Sequence, residues 1–196
     1  MKRVLVIIDN GHGEDTAGKQ SPDGKLKEWQ WTREIASRIQ RELSREGINS
    51  VLLVPEKEDI SLTERVRRAN KYSVGAEPLL VSIHVDAFKK IEWNDACGWT
   101  GWVARVASEK SRKLAQLLYK EAEKASLQGN RYVPKKKYWE ADYFILRKTS
   151  CPAVLTENLF MTNKDDVEYL CSELGKQTIV ALHVNAIKQY IEWLNK

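Results

Sequence analysis

No stretch of the 196-residue sequence approaches the ~18 consecutive apolar residues that a membrane-spanning helix requires, so no membrane partner is expected. Cysteine is scarce. Cys97, Cys151 and Cys171 are odd in number and widely scattered, which argues against a disulfide framework and fits a chain made in a reducing compartment. No Gly- or Pro-rich linker, low-complexity tract or internal repeat divides the chain, so residues 1–196 are expected to form one domain. Neither sign of charge dominates. With 32 Lys and Arg against 27 Asp and Glu the net charge is +5, a small bias toward an anionic partner such as nucleic acid or a cell-wall polymer. Lys2 and Arg3 precede a short apolar run at the N-terminus, but no small-residue cleavage site follows, so the run reads as a first strand and not a signal peptide. What remains is 42% apolar and 30% charged. That is too apolar for a disordered chain, and long enough to bury a core without metal or disulfide staples.

Apolar runs alternate with helical patterns. Residues 4–8 are apolar and β-branched, as in a buried parallel strand. Trp31, Ile35, Ile39 and Leu43, four apart, mark one face of a helix over 28–46 that Gly47 ends. Residues 48–54 read as a strand, and Ser61 with Glu64 forms a capping box for a helix through Asn70. Residues 79–85 read as a strand, and 98–106 as a Trp-rich strand near a sheet edge. Residues 108–126 predict an amphipathic helix, and 127–141 a polar, basic, irregular stretch. Residues 143–146 and 153–156 predict short strands, a helix starts at Asn163, Asp165 and Asp166, and a last helix spans about 176–194. Strands separated by helices imply an α/β fold: a mainly parallel, twisted sheet with helices on both faces.

Open α/β sheets place their sites beyond the carboxyl ends of the strands. Asp9-Asn-Gly-His12-Gly13 follows the first strand, Ser82-Ile-His84-Val-Asp86 ends the third, and Thr156-Glu157-Asn158 follows the last core strand. Two of the three histidines and a carboxylate therefore converge on one edge. Glu28 precedes Trp31 by three residues and Ile35 by seven, which puts it on the core-facing stripe of the first helix, in its first turn. A carboxylate there is rare unless it is paired or bound to metal. Two imidazoles and one carboxylate make a catalytic zinc set with a fourth position open, although Fe(II) or Mn(II) also suits these donors. On this reading His12, Glu28 and His84 are the ligands. Glu157 is left over as the base that takes a proton from water and delivers it to a leaving amine. Each residue alone has a plainer reading: His84 as a hydrogen-bonded core histidine, Glu28 as a charge favourable to the helix dipole, Glu157 as a cap. Only the four together point to a metal site. His12 stands apart even singly, because Gly11 and Gly13 remove side-chain bulk on both sides of it. His183, in the last helix, reads as structural.

The segments VIIDNGHG, KEWQW, LLVSIHVDA and PAVLTENLFMTN, in this order, resemble the zinc-dependent N-acetylmuramoyl-L-alanine amidases, which are cell-wall hydrolases. SLTERVRRAN and YFILRKTSCP also look like patterns of that family, so the resemblance covers essentially the whole chain. It implies one zinc on His12, Glu28 and His84, and Glu157 as the catalytic glutamate. It implies cleavage of the peptidoglycan amide between the lactyl group of N-acetylmuramic acid and L-alanine. The sequence departs from the family at Glu14, where a glycine is usual, and at Asp86, where an asparagine is usual. Residues 15–27 and 130–139 also fit its pattern poorly. A free-standing catalytic domain with no export signal looks like a phage or prophage lysis enzyme (endolysin), or an enzyme made in the cytoplasm and released onto the wall, with autolysins as its kin. The other readings are a zinc hydrolase of the same fold acting on a free muropeptide or N-acyl amino acid, and a non-catalytic wall-binding module. The intact set of four site residues disfavours the last.

The seven tryptophans and the Lys135–Lys137 run could serve a sugar or nucleic-acid surface, but no nucleic-acid motif is present and none is expected as a partner. Trp99 and Trp102 read as core or edge residues, while Trp139 stays open. Cys151 has no base in view and reads as a buried thiol. A monomer is expected.

Overall fold

The structure is a computed structural model that describes residues 3–72, 77–89 and 92–196. Lys2, half of the basic pair at the N-terminus, lies outside the described residues. In chain order the elements are β1 (Val4–Asn10), α1 (Glu28–Arg45), β2 (Asn49–Leu52), α2 (Leu62–Lys71), β3 (Glu77–Asp86), β4 (Thr100–Ala104), α3 (Glu109–Lys124), β5 (Trp139–Ala141), α4 (Phe144–Lys148), β6 (Ala153–Phe160), α5 (Lys164–Cys171) and α6 (Glu173–Leu194). The strands form one sheet in the order β2-β1-β3-β6-β4-β5. Every neighbouring pair is parallel except β4 with β6. This is the mainly parallel α/β sheet that the alternation of patterns predicts.

The continuous apolar runs of the central strands follow from cover on both faces. Val4, Val6 and Ile8 of β1, and Leu79, Val81, Ile83 and Val85 of β3, enter the larger core with the buried faces of α1, α3 and α6. The alternate residues Ile7 and Leu80 enter a smaller core with Leu53, Ala69, Ile145 and Leu155, beneath α2 and α4. Local signals set the ends of the helices. The Ser61 and Ser108 hydroxyls accept from the amides of Glu64 and Ser111, Asn163 caps α5 by accepting from Asp166, and Gly47 turns the chain after α1 at φ 69°.

Three expectations are corrected. Residues 143–146 do not form a strand but enter α4, because both neighbours of β6 are already supplied by β3 and β4. Ile145 and Leu146 instead pack down on the minor face of the sheet, and so short an apolar run carries no periodicity that would separate the two outcomes. The stretch 127–141 is not wholly irregular, since its last three residues form β5, the edge strand outside β4. Its pairing of Trp102 with Trp139 brings the two rings to 6.1 Å, a cross-strand contact invisible in a three-residue segment. Finally, β6 runs on past residue 156, so Glu157 lies inside the strand and not at its end. There it pairs with His84 on one side and with Thr100 of the antiparallel β4 on the other.

Candidate metal centre and active site

The site lies over the carboxyl ends of β1 and β3. The Gly11 amide donates to the Ile83 carbonyl at 3.0 Å, which ties the loop after β1 to β3. A Cβ on Gly11 would lie 2.3 Å from the His84 ring, and one on Gly13 would lie 2.0 Å from the Asp59 amide nitrogen. Both glycines are therefore required by close approach. Between them His12 adopts φ 61°, a left-handed backbone that its surroundings enforce. The Arg33 guanidinium donates to the His12 carbonyl at 2.9 Å. Arg65, buried in α2, donates to that carbonyl, to the Asn10 carbonyl and to the Asp9 and Asp59 carboxylates. Asp9 also accepts from the Ser82 hydroxyl at 2.6 Å. Sequence reasoning placed Asp9 at this edge but missed its partner, Arg65. The available signal was a basic residue four positions before Ala69 on the buried stripe of α2.

Glu28 opens α1 and is 1% exposed, as its place on the core stripe predicts. Its Oε1 accepts from the Val85 amide at 3.0 Å and lies 3.1 Å from His84 Nδ1. Its Oε2 lies 3.4 Å from His12 Nε2 and has no hydrogen-bond partner among the described residues. The two imidazoles stand edge to face, with ring centroids 5.0 Å apart. One donor atom from each of His12, Glu28 and His84 falls within 4.8 Å of the other two, so these residues form a possible metal site. Burial works against ionisation of Glu28. The hydrogen bond to His84, the neighbouring imidazoles and the Val85 amide outweigh it and hold the carboxyl below its usual range. Burial pushes His12 down to about 4, which keeps its ring neutral and available as a ligand. A fully buried carboxylate oxygen without a donor is costly, and a cation beside it removes that cost. The three residues therefore fit a divalent metal.

Glu157 is half-buried. Its Oε2 is fully shielded and also lacks a partner among the described residues. Burial, with the negative charges of Asp86 and Glu28, raises its carboxyl well above the usual range. Its strand neighbour Asn158 donates to the His84 carbonyl at 2.9 Å and accepts from the Trp99 indole at 2.9 Å, which fixes β6 against β3 beside the metal site. His12, His84 and Glu157 all line a cavity of about 540 Å³, together with Lys19, Asp59 and Tyr143. Burial and the charges of Glu157 and Asp86 push the Tyr143 phenol up to about 12, so it stays protonated.

The structure thus gathers all four residues singled out in the sequence. His183 lies apart, inside α6, with its Nδ1 on the Ile179 carbonyl and its Nε2 on the Thr156 hydroxyl. Cys151 is a partly buried thiol, pushed up to about 11 by burial. Trp99 is fully buried, and Trp102 and Trp139 pack together at the sheet edge. Sequence reasoning missed Arg131, which pairs with Asp86 and stacks over Phe160. It lies in a stretch with no periodic signal, and only the fold brings it to the site.

A profile of the N-acetylmuramoyl-L-alanine amidase family matches residues 6–189. The chain belongs to this family. Its sequence is 31% identical over 186 residues to an N-acetylmuramoyl-L-alanine amidase, CwlM, of Bacillus licheniformis, covering 94% of this chain and 67% of that one. It is 26% identical over 191 residues to a probable cell wall amidase, LytH, of Staphylococcus epidermidis, covering 97% of this chain and 59% of the relative. The chain thus spans only about three-fifths of the staphylococcal protein's length. Among solved structures, an N-acetylmuramoyl-L-alanine amidase of Clostridium difficile superposes with a TM-score of 0.85 at 26% identity, covering 98% of both chains. The matched span includes His12, Glu28, His84 and Glu157.

Proposed function

We propose that the chain is a zinc-dependent amidase that hydrolyses the peptidoglycan amide between the lactyl group of N-acetylmuramic acid and L-alanine. The observation that carries this reading is the pair of shielded, unpartnered carboxylate oxygens, one on Glu28 within the two-imidazole cluster and one on Glu157, which lines the same cavity as both imidazoles. His12, Glu28 and His84 would hold the zinc. When bound, the metal supplies Lewis-acid chemistry, which eases deprotonation of water and the build-up of charge on a carbonyl oxygen.

The chain's own groups do the rest. The cavity admits the amide and one water. Glu157, which lines the cavity, takes a proton from that water on its carboxylate, as the water oxygen bonds to the carbonyl carbon. It then gives the proton to the amide nitrogen as the C–N bond breaks, leaving a carboxylate and a free amine. Burial and the nearby negative charges of Asp86 and Glu28 raise its pKa, which helps it hold the proton until the amine leaves. Asn158 and the Gly11 amide keep β6, β3 and the His12 loop in register while this happens. All four residues lie within residues 1–196, which supports this stretch acting as one catalytic unit. An endolysin of Bacillus phage SPP1 is 26% identical over 193 residues, which supports a lytic role on the wall.

The test is incubation of the purified, zinc-loaded protein with isolated cell wall, measuring new amino termini. Release of L-alanine amino termini is expected. A zinc-replete protein that releases none overturns the reading.

A further inference from the structure

We propose that Lys19 is a specificity-determining residue that binds a free carboxylate on the stem peptide, close to the scissile amide. This rests on the amidase reading above.

Residues 15–27 depart from the family pattern, yet the structure builds this loop firmly onto the site. The Lys19 carbonyl accepts from the Glu28 amide at 2.9 Å, so the residue is anchored at the start of α1 directly beside the metal site. Gln20 and Lys27 pair in an antiparallel bridge that closes the loop behind it. Lys19 then lines the same cavity as His12, His84 and Glu157.

The remaining charges in this cavity are accounted for. The carboxylates of Asp9 and Asp59 are both engaged by Arg65. Arg131, the other cation whose charge reaches Glu157, is engaged by Asp86. Lys19 forms no ion pair among the described residues, although its charge acts on both His12 and Glu157. A half-buried lysine that forms no ion pair, at the edge of a substrate cavity, attracts an anion. A peptide supplies carboxylates, which wall chemistry can leave free or convert to carboxamides. A carboxamide has the same shape without the charge, so Lys19 would tell the two apart.

The experiment compares two synthetic muramoyl peptides that differ only in bearing a carboxylate or a carboxamide on the residue after L-alanine. Wild-type protein is expected to prefer the carboxylate. Lys19→Met should cut that preference about tenfold through KM, with kcat for the carboxylate substrate holding, and Lys19→Arg should restore it. The same two ligands are titrated calorimetrically into chelator-treated protein, where the preference should reappear in Kd and fall likewise in Lys19→Met. A preference unchanged by Lys19→Met, or a loss equal for both peptides or borne by kcat, overturns the proposal. Binding preference without hydrolysis would leave Lys19 in place and remove the amidase reading instead.

Discussion

His183 and the His12–His84 pair meet one physical problem, an imidazole taken out of water, and meet it in opposite ways. Burial pushes both His183 and His12 down to about 4. Under α6 the problem is solved within the protein: the Ile179 carbonyl can only accept, so His183 Nδ1 donates to it and Nε2 accepts from the Thr156 hydroxyl. At the sheet edge it is left open. Glu28 faces both imidazoles, yet one of its oxygens has no donor, and Glu157 nearby repeats the deficit. Buried histidines of similar acidity thus differ in what surrounds them, and the unsatisfied surroundings mark the reactive place.

The largest effects should come from breaking the open region. His12→Ala and Glu28→Ala are expected to lose bound zinc and with it hydrolysis, with Glu28→Ala partly rescued by excess metal, whereas His183→Gln keeps its zinc. Elemental analysis of the three proteins decides this, and zinc loss in His183→Gln would erase the contrast. Chelation should likewise abolish hydrolysis while leaving the circular dichroism of the fold unchanged, because the cores on both faces of the sheet do not include the metal site. Next in size, Glu157→Gln should retain zinc and lose roughly 10²–10⁴-fold in turnover, the range for removal of a general acid–base group. Zinc loss in Glu157→Gln beside a metal-replete Glu28→Ala would exchange the two roles.

The closed region should answer to pH in stability instead of rate. His183 titrates near 6.5 when unfolded and about 4 when folded, so between those values the unfolded chain binds the extra proton. Stability should therefore fall as pH drops through 6.5 and level off below 4. The contribution lost between pH 7.5 and pH 5 is about 2 kcal/mol. Urea unfolding at the two pH values measures it, and in His183→Gln the pH slope should shrink by that amount.

Much of this contrast was legible in the sequence. Glu28 stood out because three- and seven-residue spacing to Trp31 and Ile35 fixes it on a helix face, and His12 because two glycines flank it. The central strands were legible because cover on both faces makes them apolar throughout. The β4–β5 edge was not. Trp139 pairs with Trp102 across a three-residue strand, and Tyr143 leads into a helix of five, lengths at which no period can be read. Arg131 and Arg65 were missed for a related reason. Each owes its place to partners 45 and 56 residues away, Asp86 and Asp9, and no local pattern encodes such a distance.

The grip of Arg65 has a consequence for how the molecule comes apart. The loop carrying His12 is held by Arg33 from α1 and by Arg65 from α2, helices that pack on opposite faces of the sheet. Its Gly11 amide is bonded to the central strand β3. Such a loop cannot fray alone, since freeing it requires both helices to let go. Hydrogen exchange at the Gly11 amide should then be as slow as at the core amides of β3, proceeding through global opening of the molecule. Heat would cost the protein its active site and its fold in a single cooperative event.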